Sequence, residues 1–303
     1  MAEALVATGK HTVTALTRSD STSTIPAGVR SIIVDYADRE SLVAALRGHD
    51  ALIITLSLTT PPDTQTELVE AAAAAGVPWI LPNEWASDTT GTVDAGLSSD
   101  LPVFALPRAH RAHILSLGAS NYVSISTGFW YEWSLAMPVG FGFDFASRTA
   151  TFYDHGKTQM TISTWPQVGR AVAALLSLPV EKEEDNSASI SDFRNKQIYI
   201  ASSTTSQAEI LESVLRVTGD KRENWKIGYE SSRERFERSA EAAKQGDGLA
   251  FVRMLYARLL FPLPGVSNTE KTHGLSNEAL GLQSEDLDEA TKLAIERVRA
   301  AKV

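Results

Sequence analysis

One unit, a helix closed by glycine and followed by a short apolar strand, recurs four times in the first half of the chain. It reads as EALVATG then TVTAL, as SLVAALRG then ALIITLS, as ELVEAAAAAG then PWILP, and as AHILSLG then NYVSIS. Gly9, Gly48, Gly76 and Gly118 each fall where a helix ends best on a residue that tolerates the left-handed conformation. The strands are almost wholly apolar rather than alternating, which predicts burial on both faces. Another strand, VRSIIVDY, comes between the first two units. Strands alternating with helices imply right-handed crossovers, and so a doubly wound parallel sheet of the α/β class.

Past Gly128 the texture changes. Aromatic residues crowd into GFWYEW and FGFDF, and RTATFYDHGKTQMTIS reads as a hairpin across an Asp154–Gly156 turn. A helix, QVGRAVAALLSLP, and a charged connection, EKEEDNSAS, lead to the strand KQIYIAS. From Gln207 onward the pattern is mainly helical, through SSRERFERSAEAAKQ to SEDLDEATKLAIERVRA. The division expected is a nucleotide-binding domain over residues 1–128 and a smaller α+β substrate domain over 129–303. Residues around 196–202 are expected to return to the first sheet. A cleft between the two would be the default ligand site.

Several function classes are excluded or disfavoured. The formal charge of −9, with 28 basic against 37 acidic residues, argues against sequence-independent binding to nucleic acid or to anionic membranes. There is no cysteine, hence no disulfide, thiolate metal site or cysteine nucleophile. The most apolar run, AFVRMLYARLLFPLPG, is broken by Arg253 and Arg258 and reads as a packed amphipathic helix. Neither a signal peptide nor a membrane span is evident, so a cytoplasmic location is expected. No GxSxG elbow, HExxH or P-loop lysine motif supports a hydrolase or kinase.

The segments ALTRSDS, VDYADRESLVAALRGHDALIITLS, GVPWILPNEW, STGFWYEW, QVGRAVAALLSLP and LGLQSEDLDEATK carry a wider likeness. Together they resemble the NmrA-like and isoflavone-reductase-like branch of the atypical short-chain dehydrogenases, its fungal members above all, over nearly the whole chain. The resemblance implies a Rossmann-type domain that binds NADP(H) and a C-terminal domain that binds a small-molecule substrate. Catalytic members of the branch reduce aromatic or carbonyl-containing metabolites, whereas others bind dinucleotide without turnover and act as regulators. Family members also begin with an apolar strand and a GxxGxxG turn ahead of the helix whose tail is AEALVATG here. A first strand is therefore expected to be missing, in a prefix of roughly 15 residues. The clean cut inside an otherwise intact pattern favours a displaced start codon or exon boundary over a true short form, which would be an inactive product.

Candidate site residues follow from strand ends. Arg18 and Ser19 come where the adenosine ribose is read, and with no acid ending that strand an arginine suits the 2′-phosphate of NADP. Asp35 and Tyr36 would lie near the adenine, or Asp35 would only open a turn while Asp38 caps the next helix. Leu56, Ser57 and Asn83 end later strands, where open α/β sheets place ligands. Glu84 and Trp85 would face the same crevice. Reductases of this branch use a lysine on the helix represented here by LPRAHRAHI, yet no lysine occurs between Arg108 and Arg148. His110 and His113, three apart on that helix, could exchange a proton near neutral pH, whereas Arg108 and Arg111 could not. Surface or cleft-edge histidines are the plainer alternative, and no third ligand nearby supports a metal. Tyr131 in GFWYEW could line the cleft, although such an aromatic stripe is more often core. The YxxxK spacing of Tyr153 and Lys157 falls in a turn and is read as accidental.

Overall fold

A computed structural model describes residues 1–57, 60–61, 63–91, 96–182, 188–263 and 266–300. The first half runs α1 (Ala2–Ala7), β1 (Val13–Thr17), β2 (Val29–Ile33), α2 (Arg39–Leu46), β3 (Ala51–Ile53), α3 (Thr64–Ala75), β4 (Trp79–Leu81), α4 (Leu97–Asp100), α5 (Leu106–Leu117) and β5 (Asn121–Ser126). The second half runs β6 (Phe129–Trp130), α6 (Tyr131–Ala136), α7 (Pro138–Phe141), β7 (Phe143–Asp144), β8 (Thr149–Tyr153), β9 (Met160–Ser163), α8 (Trp165–Leu176), β10 (Lys196–Tyr199), β11 (Ser203–Thr205) and α9 (Gln207–Thr218). It closes with β12 (Lys226–Glu230), α10 (Ser232–Lys244), α11 (Ala250–Leu259), α12 (Thr269–His273) and α13 (Leu287–Ala300).

The four strand-bearing units build parallel sheet. Strands order as β10-β5-β4-β3 in one sheet, every pair parallel, while β1 and β2 form a separate parallel pair. The period-two geometry of a strand sorts its side chains onto opposite faces. Trp79 and Leu81 of β4 thus pack with Val123, Ile125, Val168 and Val172. Ile80 between them packs on the other face with Leu52, Ile54, Leu68 and Val69. Helices α1 and α8 cover the first face, and α2, α3 and α5 the second. All three residues of β4 are buried, as a doubly covered strand requires.

Strands β1 and β2 depart from that rule. All five residues of β1 are only half-buried, and four of the five in β2 are exposed. The apolar sequence predicts two-sided burial for them, but β1 has lost its neighbour: its inner edge is not bonded to β3. A strand held from one side only cannot be enclosed.

The second half builds two small three-stranded sheets, β11-β9-β6 and β12-β8-β7, around one aromatic-rich core. The expected hairpin does not form. β8 pairs with β7 and β12, and β9 pairs with β6 and β11, so the strands flanking the turn belong to different sheets. The turn itself is real: Asp154 and Gly156 have φ of 53° and 65°. The Asp154 N–H donates to Glu230 O at 2.7 Å, which draws β8 toward β12 instead of β9. β12 itself lies in a stretch whose sequence reads as mainly helical. Residues 183–187 of the charged connection lie outside the described residues. Among the described residues, no helix is long and apolar enough to cross a membrane.

Helices α9 and α13 are clamped by an ionic contact. Arg216 Nε and Nη2 donate to the two oxygens of Asp288 at 2.8 and 2.7 Å, and Ser213 Oγ donates to Oδ1 at 2.6 Å. These donors, Arg216 foremost, hold the carboxyl down to about 2. A depressed carboxylate contributes stability that is complete above its unfolded value of about 3.9 and fades as pH falls toward the folded value. Asp288→Asn is therefore expected to lower the urea midpoint near neutral pH, and the gap from the parent chain should close between about pH 4 and about pH 2.

Candidate functional site

Open parallel sheets take ligands beyond the carboxyl ends of their strands, because loops leave the sheet there and diverge. Here the loops after β3 and β4 are locked together. Asn83 meets Leu56 twice, accepting its N–H at 3.1 Å and donating to its carbonyl at 3.2 Å. The Asn83 N–H in turn donates to Gln65 Oε1 at 3.0 Å. Trp85 Nε1 donates to Ile54 O at 2.8 Å, and Trp130 Nε1 donates to Trp85 O at 2.6 Å. Indole and amide groups thereby take over strand-end peptide groups that would otherwise stay unpaired.

Beside these loops a slot of about 1240 Å³ opens between β1 and β3. Leu16, Tyr36 and Leu56 line it, and the Tyr36 hydroxyl donates to Leu16 O at 3.3 Å. Arg18 and Ser19 are exposed just past β1, and Arg18 holds only a solvated contact with Asp20 at 3.4 Å. Asp35 accepts the Ala37 N–H, while Asp38 caps α2 through the N–H groups of Glu40 and Ser41. Ser57 Oγ lies 3.3 Å from Thr60 Oγ1. The structure thus gathers Tyr36, Leu56 and Asn83 at one end of the slot, with Arg18 and Ser19 on its rim strand.

The proton-transfer candidates fall elsewhere. Tyr131 is fully buried, its hydroxyl 2.7 Å from Thr291 Oγ1, and burial pushes its ionisation far up. It belongs to the aromatic core, not to a cleft wall, because α6 turns it inward against Phe141. His113 Nε2 sits 3.2 Å from Glu70 Oε1, and Glu70 also takes Arg39, so the imidazole helps tie α2, α3 and α5 together. His110 is half-buried, and burial with the neighbouring His113 holds its ring below the usual histidine range. Neither histidine lines the slot. Among the described residues, no group of three or more His, Asp or Glu side chains could hold a metal ion.

Glu84 is also displaced from its expected place at the crevice. It is 3% exposed and turned beneath the sheet. Its Oε2 accepts from Arg111 Nη1 at 2.5 Å, Ser124 Oγ at 2.6 Å and Thr89 Oγ1 at 3.1 Å. Arg111 Nη2 continues to Thr89 O at 2.8 Å. Burial raises the Glu84 carboxyl, and Arg111 and the hydroxyls oppose the rise. The sequence offered one signal for this pair: a lone acid directly after an all-apolar strand. A second polar cluster had no such signal. The Tyr199 hydroxyl donates to Asp88 Oδ1 at 2.9 Å, and His273 stacks flat on Tyr199 at 4.3 Å. Its three residues come from distant segments joined only by the fold.

Removing the cation from a buried pair strands the carboxylate. Arg111→Met is therefore expected to cost about 3–5 kcal/mol. The double substitution Glu84→Gln with Arg111→Met should recover much of that loss in denaturant unfolding, because no buried charge then remains unpaired.

Comparison with known proteins places this architecture. The sequence model described as the NmrA-like family matches residues 1–235. A protein of Penicillium oxalicum named oxidoreductase poxI is 27% identical over 257 residues, covering 82% of this chain and 74% of its own. Among solved structures, one of the pinoresinol-lariciresinol and phenylcoumaran benzylic ether reductases superimposes with a TM-score of 0.72 at 20% identity, covering 95% of this chain and 93% of its own. The triphenylmethane reductase of Citrobacter sp. complexed with NADP(H) gives 0.65 at 16% identity, covering 96% and 94%.

Proposed function

The chain belongs to the NmrA-like family, and from that premise we propose that it is an NADPH-dependent oxidoreductase of the isoflavone-reductase type. Its substrate would be a small, largely apolar or aromatic metabolite with a carbonyl or a conjugated double bond. The observation that carries the cofactor preference is Arg18, exposed directly after β1 on a strand that ends Ala15-Leu16-Thr17 with no acid. A guanidinium can take a 2′-phosphate through two N–H groups, and Ser19 adds a hydroxyl beside it. Tyr36 and Asp35 would border the adenine, and the Leu56–Asn83 clasp would hold the loop edge on which the rest of the dinucleotide lies. Those residues suit the adenosine end. Among the described residues no glycine-rich turn cradles a pyrophosphate at the slot, so that grip is not assigned to any side chain here.

When bound, NADPH supplies the hydride. The proton that completes a carbonyl reduction is assigned to His110, since Tyr131 is enclosed and His113 is engaged with Glu70. A ring held below the usual histidine range is mostly neutral at pH 7, so it would relay a proton taken from solvent. A second reading, a dinucleotide-sensing regulator without turnover, is favoured by the absence of lysine from Arg108 to Arg148. The acidic balance of the chain suits a small-molecule role under either reading.

Calorimetry with NADPH and NADH tests the cofactor. NADPH is expected to bind more tightly, and Arg18→Ala to weaken it about tenfold while leaving NADH unchanged, the loss of one charge-assisted pair. Equal affinities would defeat the preference. Loss of NADPH absorbance with a panel of aromatic ketones and enones tests turnover, and His110→Gln should lower kcat about 100-fold. Tight binding without turnover selects the regulator.

A further inference from the structure

The slot between β1 and β3 is bounded by two strand edges, a feature no ordinary small-molecule pocket shares. β1 spends its outer edge on β2, and β3 spends its outer edge on β4. In a parallel ladder, alternate residues turn both peptide groups to the same side. Thr17 O accepts from Val34 N, so Val13, Ala15 and Thr17 face β2, leaving the peptide groups of Thr14 and Leu16 toward the slot. Ile54 N donates to Leu81 O, so Leu52 and Ile54 face β4, leaving Ala51 and Ile53 toward the slot. Only Leu16 O has a side-chain donor there, the Tyr36 hydroxyl at 3.3 Å. The volume of about 1240 Å³ also exceeds the roughly 300–1,000 Å³ of common small-ligand pockets.

The two faces of the slot are covered as well. Leu5 and Val13 reach it from the layer of α1 and α8, and Leu16 and Leu68 from the layer of α2 and α3. An occupant must therefore do three things together. It has to present peptide donors and acceptors on both edges, keep the spacing of about 4.8 Å from each neighbour, and be apolar on both faces. An aromatic metabolite meets the last condition alone.

We propose that the β1–β3 slot is a strand-accepting site that binds, in trans, one extended peptide segment of about five residues, apolar at every position and free of proline. The segment completes a ladder with Thr14 and Leu16 on one side and Ala51 and Ile53 on the other, which joins the two-stranded and four-stranded sheets into one. Charge within the segment is excluded, because neither covered face offers it water. Enclosure of β1 follows, since its half-buried residues gain the neighbour that a central strand requires.

The experiment is amide hydrogen exchange on the full chain with a synthetic peptide whose core is Val-Ala-Val-Ile-Gly behind two solubilising lysines. The control carries proline at both central positions and so cannot donate to a ladder. Peptide at saturation is expected to slow exchange at least tenfold at Thr14, Leu16, Ala51 and Ile53, with one peptide bound per chain. The already paired Val13, Ala15 and Thr17 should change less. The proposal is overturned by unchanged exchange at those four positions, by equal protection from the proline control, or by protection confined to the exposed Ile33 edge of β2. It is also overturned if the same amides are protected without peptide in a dimer, which would make a second copy the occupant. Exchange is read without dinucleotide, so failure here is distinct from failure of the cofactor assignment.

Discussion

Sideways hydrogen bonding is the constraint on which everything else in this molecule rests. A parallel sheet covered by helices on both faces has no water to satisfy its peptide groups, so each interior strand needs a neighbour on either hand. β4 and β5 have two, and their residues are almost wholly buried. β1 and β3 have one each, and the burial of β1 falls accordingly. The same apolar sequence type therefore yields two states, enclosed or half-exposed, decided by pairing and not by side chain. A buried peptide group without a partner costs about 1–3 kcal/mol, so a few such groups matter against a domain stability of about 5–15 kcal/mol.

At the carboxyl edge the chain meets this demand with side chains. Asn83, Trp85 and Trp130 each reach a main-chain group of a neighbouring loop. Beneath them Glu84 and Arg111 fasten the loop after β4 to α5, with Thr89 shared between them. This polar lattice is fixed from below by a charge pair and from above by indoles. A ligand platform built in that way is pre-shaped, so little ordering is left for binding to accomplish.

The α/β framework was legible because two periodicities alternate in the sequence, helical stretches ended by glycine and short apolar runs. Gly9, Gly48, Gly76 and Gly118 all take positive φ. The broken sheet was legible too, since a crossover helix at residues 2–7 stood without the strand that should deliver it. What failed was partner choice in the second half. β8 and β9 look like a hairpin because their turn chemistry is local and correct, but pairing depended on Glu230, some 75 residues further on. The expected positions of Tyr131 and Glu84 failed for a related reason. A sequence shows that a residue follows a strand, while the direction in which the loop then turns is set by tertiary contacts such as Thr291 and Arg111. Strand-end positions such as Leu56 and Asn83 were readable because main-chain geometry alone puts them at the edge.

The split of β8 and β9 between sheets has a mechanical consequence. A hairpin is a flap: two strands bonded to each other that can lift as a unit from whatever lies below. Here the six residues between Tyr153 and Met160 bolt one small sheet to another, and Asp154 is bonded besides to Ser232 at the head of α10. Neither sheet can swing without dragging its companion. The aromatic half of the molecule is consequently a stiff bracket, and any gating motion has to come from the loops.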